Sequence, residues 1–206
     1  MANQNMHQLK LQRYYKFHSN IYDVTRWSFL FGRQQLLTGL PKLKSRPRIL
    51  EIGCGTGKNI QLLDFLYPDA SITGIDVSGD MLKKAEQKIG SSKELKLKPC
   101  RYGAEQPDWE PFDLVVLSYS LTMIGEDRKK ILRQIHEDLT PNGYIAVVDF
   151  HDTSFNWFRR WMYRNHVVMD GTFFPLLKKH FAVEKASVQK AYLGLWRYFT
   201  FLGKRA

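Results

Sequence analysis

Glu51, Gly53, Gly55 and Gly57 carry the first legible chemistry in this chain. They form an acid followed by glycine at every second position, within Ile49-Leu50-Glu51-Ile52-Gly53-Cys54-Gly55-Thr56-Gly57. The apolar run predicts a buried strand that ends in a carboxylate. Glycines have no Cβ, so the backbone after the strand can turn tightly and lie against a ligand. A dinucleotide fingerprint needs its third glycine three places after the second. Lys58 stands there, so that reading fails. A Walker phosphate loop fails too, because no Gly-Lys-Ser/Thr closes this one.

The remaining acid-x-Gly-x-Gly-x-Gly pattern resembles motif I of class I S-adenosylmethionine-dependent methyltransferases. That resemblance implies a cofactor with a carboxylate, an ammonium and a ribose, each needing partners. The amides of Gly53, Cys54, Gly55 and Gly57, with the helix N-terminus that follows, are expected to meet the carboxylate. Glu51 is expected to accept from the ammonium. Asp76 ends the next apolar run and lies 19 residues after Gly57. It matches a second acid expected about 20 residues on, where ribose hydroxyls are held, with Val77 beside it. The bland alternative is an ordinary turn between two exposed strand-end acids. Correct spacing of both acids and all three glycines disfavours it. Cys54 reads as a small filler in the loop, since no His lies near it in sequence to make it a nucleophile. The family often places an Asp after strand three for the adenine. Here the matching run is Tyr102-Gly103-Ala104-Glu105, with glycine at that place. Glu105 or a backbone carbonyl is the substitute, and an exposed loop acid is the equal alternative.

The acceptor should lie at the carboxyl ends of the strands. Those ends are Leu117-Ser118-Tyr119-Ser120 and Val148-Asp149-Phe150-His151-Asp152. Ser118 is assigned to the cofactor edge. No Asn/Asp-Pro-Pro-aromatic run follows strand four, which lowers a nucleobase-amine reading. With Ile21-Tyr22-Asp23-Val24-Thr25-Arg26-Trp27-Ser28-Phe29-Leu30-Phe31-Gly32-Arg33, Ser118 to Ile124 and Val148 to Phe150, the chain is similar to bacterial diacylglyceryl-homoserine N-methyltransferases. That resemblance implies three methyl transfers to the amine of a lipid headgroup. Tyr22 and Tyr119, with Tyr15, are the aromatic candidates for holding a methylated nitrogen. His151 and His18 are the candidate proton acceptors, each weighed against a core or solvated role. Arg26 and Arg33 fall on one helical face and could clamp a headgroup carboxylate or only solubilise it. Related phosphoethanolamine methyltransferases use a Tyr–His pair with the His after strand four. No His occurs between Leu114 and Gln134, so that pair does not carry over in place.

These residues need elements to position them. Strands are expected at 47–52, 71–75, 95–100, 113–118 and 144–150, and helices at 57–66, 79–89 and 127–139. Pro141-Asn142-Gly143 is expected to turn the last helix into strand five. The alternation predicts an α/β fold with a doubly wound, mainly parallel, seven-stranded sheet, Rossmann-like and covered by helices on both faces. Helices at 154–166 and 172–180 and strands at 181–189 and 192–202 would finish it with an antiparallel hairpin. Residues 1–46 read as a basic aromatic helical lid, divided at Gly32, and residues 47–206 as the catalytic domain.

At 206 residues one such domain is the natural count. Two cysteines make no disulfide framework, no leading stretch reads as a signal peptide, and no apolar run reaches a bilayer-spanning length. The charge is uneven: residues 1–47, 48–152 and 153–206 carry net charges of +7, −4 and +8. Basic flanks mixed with Trp, Phe and Leu predict a polyanionic partner, and an anionic membrane surface is the first choice. The expected location is cytoplasmic, peripheral at the inner membrane surface. Alternatives are a phosphatidylethanolamine, quinone or other amphiphilic acceptor. A nucleic-acid-associated or inactive protein of the same fold is a further alternative. No added RNA-binding module favours nucleic acid, and no metal is expected.

Overall fold

The computed structural model describes residues 30–90, 94–104, 109–124 and 128–205. Its strands are β1 (Arg48–Ile52), β2 (Ser71–Asp76), β3 (Leu95–Pro99), β4 (Phe112–Ser118), β5 (Leu139–Phe150), β6 (Ala182–Ala191) and β7 (Trp196–Lys204). They form one sheet in the order β3-β2-β1-β4-β5-β7-β6. β1 to β5 pair in parallel, and β7 runs antiparallel to both β5 and β6. The expected doubly wound sheet with a closing hairpin is therefore the fold.

Central strands buried on both faces need continuous apolar runs rather than alternation. β4 meets this with Leu114 and Val116 in one core and Val115 and Leu117 in the other. The helices are α1 (Arg33–Thr38), α2 (Lys58–Leu66), α3 (Gly79–Ile89), α4 (Arg128–Asp138), α5 (Asn156–Arg164) and α6 (Phe173–His180). Leu37 of α1, Ile60 of α2 and Phe158 of α5 enter the first core, while Leu132 of α4 and Leu177 of α6 enter the second. Full burial of one such side chain contributes about 1.5–3 kcal/mol. The edges are guarded differently. β3 is only half-covered and carries Lys96, Lys98 and Pro99, which discourage further strand pairing.

Two boundaries depart from the expectation. The ladder of β5 begins at Leu139, opposite Phe112, and slips in register before Leu114 pairs with Tyr144. The expected turn survives inside the strand as a bulge, with Asn142 in the left-handed region at φ 64°. Asp113 holds this place, accepting from the Arg48 amide at 2.9 Å and the Thr140 hydroxyl at 3.2 Å. In the hairpin, Tyr192–Gly194 is a 3-10 turn rather than the start of the last strand. Its aromatic and aliphatic composition suggests a strand, but the chain must reverse there to bring β7 beside β6. Among the described residues, no helix is long and apolar enough to cross a membrane. No cluster of three or more His, Cys, Asp or Glu could hold a metal ion among them either.

Candidate active site

β1 delivers Glu51 to the centre of the sheet edge, paired with Gly74 on one side and Val116 on the other. Its neighbours Leu50 and Ile52 face the second core, so Glu51 faces the first. The carboxylate is 1% exposed. Asn59, in the first turn of α2, donates to Oε1 at 2.6 Å. Oε2 is buried and has no hydrogen-bond partner. Burial raises the carboxyl from its ordinary 4.5 to about 8, against the Asn59 hydrogen bond and the nearby Arg33 charge, with Asp76 adding to the rise. A buried acceptor without a donor is costly unless a cationic ligand group completes it.

The loop is tighter than the spacing alone suggests. Gly53, Gly55 and Gly57 all have left-handed φ, at 75°, 54° and 77°. A Cβ on Gly53 would lie 2.5 Å from the Cβ of Ser120, so the loop packs directly on the β4 turn. A Cβ on Gly55 would meet nothing within 4 Å, which leaves open space beside the loop. The loop amides all have partners within the protein. Gly53 and Cys54 N–H donate to the Ile75 carbonyl at 2.8 and 3.0 Å, Gly57 N–H to Cys54 O at 3.0 Å, and Gly55 N–H to Asp76 Oδ2 at 2.9 Å. The end of β2 sits close enough to satisfy them, which the loop sequence could not reveal. A carboxylate donor set then falls to the N-terminus of α2, which no side chain caps. Burial, then the Glu51 and Asp76 carboxylates, pushes the Cys54 thiol well up, which together with its burial suits a filler of the loop rather than a nucleophile. It fills the space against Gly74, where a Cβ would lie 3.0 Å from Cys54 Sγ and 2.5 Å from Ile60 Cδ1.

Asp76 stands at the end of β2, with Oδ1 accepting from the Ser78 amide at 2.9 Å. Val77 follows it, half-buried. Ser78 then caps α3, accepting from the Met81 amide at 3.4 Å. On the adenine side, Tyr102 turns away from the cleft and donates to Asp138 Oδ2 of α4 at 2.6 Å. Glu105 lies outside the described residues, as do Tyr22, Tyr15, His18 and Arg26.

At the acceptor end Ser118 is half-buried and pairs with Val148. Its neighbour Ser120, unmarked by sequence, makes the loop contact and donates to the Ile52 carbonyl at 2.7 Å. Tyr119 is fully buried in the first core, with the left-handed φ of 55° rare for a bulky residue. Its hydroxyl donates to the Phe31 carbonyl at 2.7 Å, and its ring meets Phe150 edgewise at 4.7 Å. His151 instead packs edgewise on Phe174 and Phe199, rings of the second core, at 5.7 and 6.1 Å. Its Nδ1 is buried without a hydrogen-bond partner, and burial lowers its pKa below the ordinary 6.5. Tyr119 and His151 therefore belong to opposite cores and are not brought together. Between them, buried Asp149 accepts from the Thr122 hydroxyl at 2.6 Å and from the Thr122 and Phe150 amides. Neither Asp149's latch to Thr122 nor the bond from Asn59 is visible in the sequence, though an Asn in the first helical turn after such a loop is a usable sign.

Comparison with known proteins agrees with this geometry. Residues 50–145 match the family model described as a methyltransferase domain. A carboxy-S-adenosyl-L-methionine synthase of Trichodesmium erythraeum is 35% identical over 105 residues, which are 50% of this chain and 42% of that protein. A ubiquinone/menaquinone biosynthesis C-methyltransferase of Geotalea daltonii is 27% identical over 160 residues, 73% of this chain and 67% of that protein. The chain thus spans about two fifths of the first relative's length and two thirds of the second's. The structure of the N-methyltransferase NodS from Bradyrhizobium japonicum, solved with S-adenosyl-L-homocysteine, has the same fold. It superposes at a TM-score of 0.66 and 20% identity, covering 83% of this chain and 84% of that one. Sheet order, glycine loop, buried acid and family match converge: residues 50–145 match a methyltransferase domain, the chain has the Rossmann-like fold, and the loop and acid fit S-adenosylmethionine as cofactor.

Proposed function

We propose that this chain is an S-adenosylmethionine-dependent N-methyltransferase acting on the amine headgroup of a membrane lipid, taking diacylglyceryl-homoserine to its trimethylated betaine lipid. One observation carries the acceptor class: an aromatic wall begins at the loop itself. Tyr119, beside the Ser120 that packs on Gly53, is bonded to Phe31. Phe31 in turn contacts the rings of Tyr192, Trp196 and Tyr198 at 5.3, 6.2 and 6.0 Å. Phe31 and Tyr192 expose their rings while Tyr119, Trp196 and Tyr198 back them from the core, and such exposed faces suit a nitrogen that becomes a fixed cation as methyls accumulate.

When bound, S-adenosylmethionine supplies a methyl already activated by a sulfonium. The chain's own residues then mainly align the partners. Glu51 Oε2 is the place for the ammonium and Asp76 for the hydroxyls. The attacking amine must be neutral. Tyr22 is assigned to the cationic nitrogen, while Tyr119 supports the wall from the core through its bond to the Phe31 carbonyl, and His151, packed on the other face of the sheet, is given no part in the transfer. A quinone-ring acceptor is the second reading, favoured by the Geotalea relative, which is matched over more of this chain than the first.

The test is incubation with methyl-labelled S-adenosylmethionine and total lipid extract, followed by mass identification of labelled species. Labelled betaine lipid is expected. Labelled phosphatidylethanolamine derivatives alone, or a labelled quinone, would replace the acceptor named here, and an unlabelled lipid fraction would refute it.

A further inference from the structure

We infer that the outer face of α5 and the Tyr192–Gly194 turn together form a docking surface for an anionic lipid bilayer, an inference that rests on the lipid-acceptor reading above. Three independent observations meet there. First, α5 reads Asn-Trp-Phe-Arg-Arg-Trp-Met-Tyr-Arg, and only Phe158 and Met162 are buried. Its opposite stripe presents Trp157, Arg160, Trp161 and Arg164 at helical spacing, with Trp157 63% and Tyr163 70% exposed. Large aromatics interleaved with arginines on a solvent face match an interfacial helix, where rings lie at headgroup depth and cations meet phosphates.

Second, the turn holds an apolar side chain out by force of backbone. Tyr192 and Leu193 both adopt left-handed φ, 45° and 56°, and Leu193 is fully exposed. Neither residue favours that region, so the conformation has a cost that nothing in the surrounding packing of Leu193 returns in water. Insertion of the side chain between lipid tails would return it.

Third, the two features belong to one surface and one charge. Tyr192 meets Trp196 at 4.8 Å, Trp196 stacks on Phe158 at 5.4 Å, and Phe158 meets Trp157 and Trp161, each at 5.6 Å. The same rings reach Phe31 and hence Tyr119, so the surface is continuous with the acceptor end of the site. Residues 153–206 hold ten Lys/Arg against two acids, and α5 itself holds three arginines and no acid. That charge selects an anionic bilayer over a second copy of this basic chain, which would repel it.

The experiment is flotation of the full chain with phosphatidylcholine vesicles, with and without a minority of phosphatidylglycerol, in low and high salt. Parent protein should float with the anionic vesicles, with a blue shift of tryptophan emission. Leu193→Asp, and separately Trp157→Ala with Trp161→Ala, should each reduce binding roughly tenfold or more, with S-adenosylmethionine affinity unchanged and a cooperative melt retained as proof of folding. Equal binding by parent and variants, or a concentration-dependent dimer that the variants abolish while vesicles stay unbound, overturns the surface. Labelled lipid analysis separates the two proposals. Variant-sensitive vesicle binding without lipid methylation supports the surface and sinks the acceptor, whereas lipid methylation undiminished by the variants does the reverse.

Discussion

Glu51→Gln turns the central oddity of the site into a measurement. The wild-type carboxyl is pushed from 4.5 up to about 8 by burial. At pH 7 the ligand-free folded protein therefore holds a proton that the unfolded chain has released. A raised pKa gives stability that is fully present below about pH 4.5 and is lost as pH rises toward 8. At about 1.4 kcal/mol per unit, roughly 3 kcal/mol is lost between pH 4.5 and 7. Glutamine cannot ionise, and its carbonyl can still accept from Asn59. Urea unfolding should show parent and variant nearly equal at pH 4.5, with the variant about 3 kcal/mol more stable at pH 7. Cofactor affinity should move the other way. A cationic ligand group on Oε2 favours the ionised acid, so a hydrogen bond to a charged group is lost in the variant. At about 1.5–3 kcal/mol, that loss weakens binding roughly 10- to 150-fold. Binding to the parent should also release a proton. Titration calorimetry at pH 7 in two buffers of different ionisation enthalpy should give different heats for the parent and matching heats for Glu51→Gln. A stability difference that stays flat with pH, or buffer-independent heats for the parent, refutes the reasoning.

Other outcomes follow from packing. Gly53→Ala places a Cβ 2.5 Å from Ser120 Cβ at a left-handed φ and should cost roughly 2–4 kcal/mol in unfolding experiments. Gly55→Ala meets open space, so it should cost only about 1 kcal/mol of backbone strain while weakening S-adenosylmethionine in an equilibrium binding assay. Tyr119→Phe removes the donor to the Phe31 carbonyl and should cost about 1–2 kcal/mol, with faster proteolytic cleavage near residue 30. Tyr22→Phe should leave cofactor affinity unchanged and slow methyl transfer, measured in single turnover. Equal loss of both would make Tyr22 structural.

Much of this site was legible because its signals are local. A strand carrying Glu51 one residue before its end, glycines two apart and a second acid 19 residues on are properties of short stretches, and β1 and β2 form where those stretches predict. What was hidden depends on distant segments meeting. Asn59 matters because α2 returns over β1, Ser120 because the β4 turn abuts the loop, and Arg33 because α1 lies over the same core. The loop amides' partners within the protein were hidden for the same reason, since Ile75 O and Asp76 reach them only through the pairing of β1 with β2. Tyr119 and His151 look alike as strand-end candidates, yet they pack into opposite cores, a difference settled by the layers above and below the sheet.

Gly74 pairs with Glu51 across the sheet but has no side chain to offer a ligand, and it has none of the left-handed geometry of the loop. Yet its missing side chain sets how near α2 can approach β2, and so where the first helical turn points. In a saturation mutagenesis screen read out by growth or activity, position 74 should therefore tolerate as little as positions 53 and 57. A map of permitted substitutions would outline the donor site as larger than its true contact surface, with a strand glycine counted among the residues that meet the ligand.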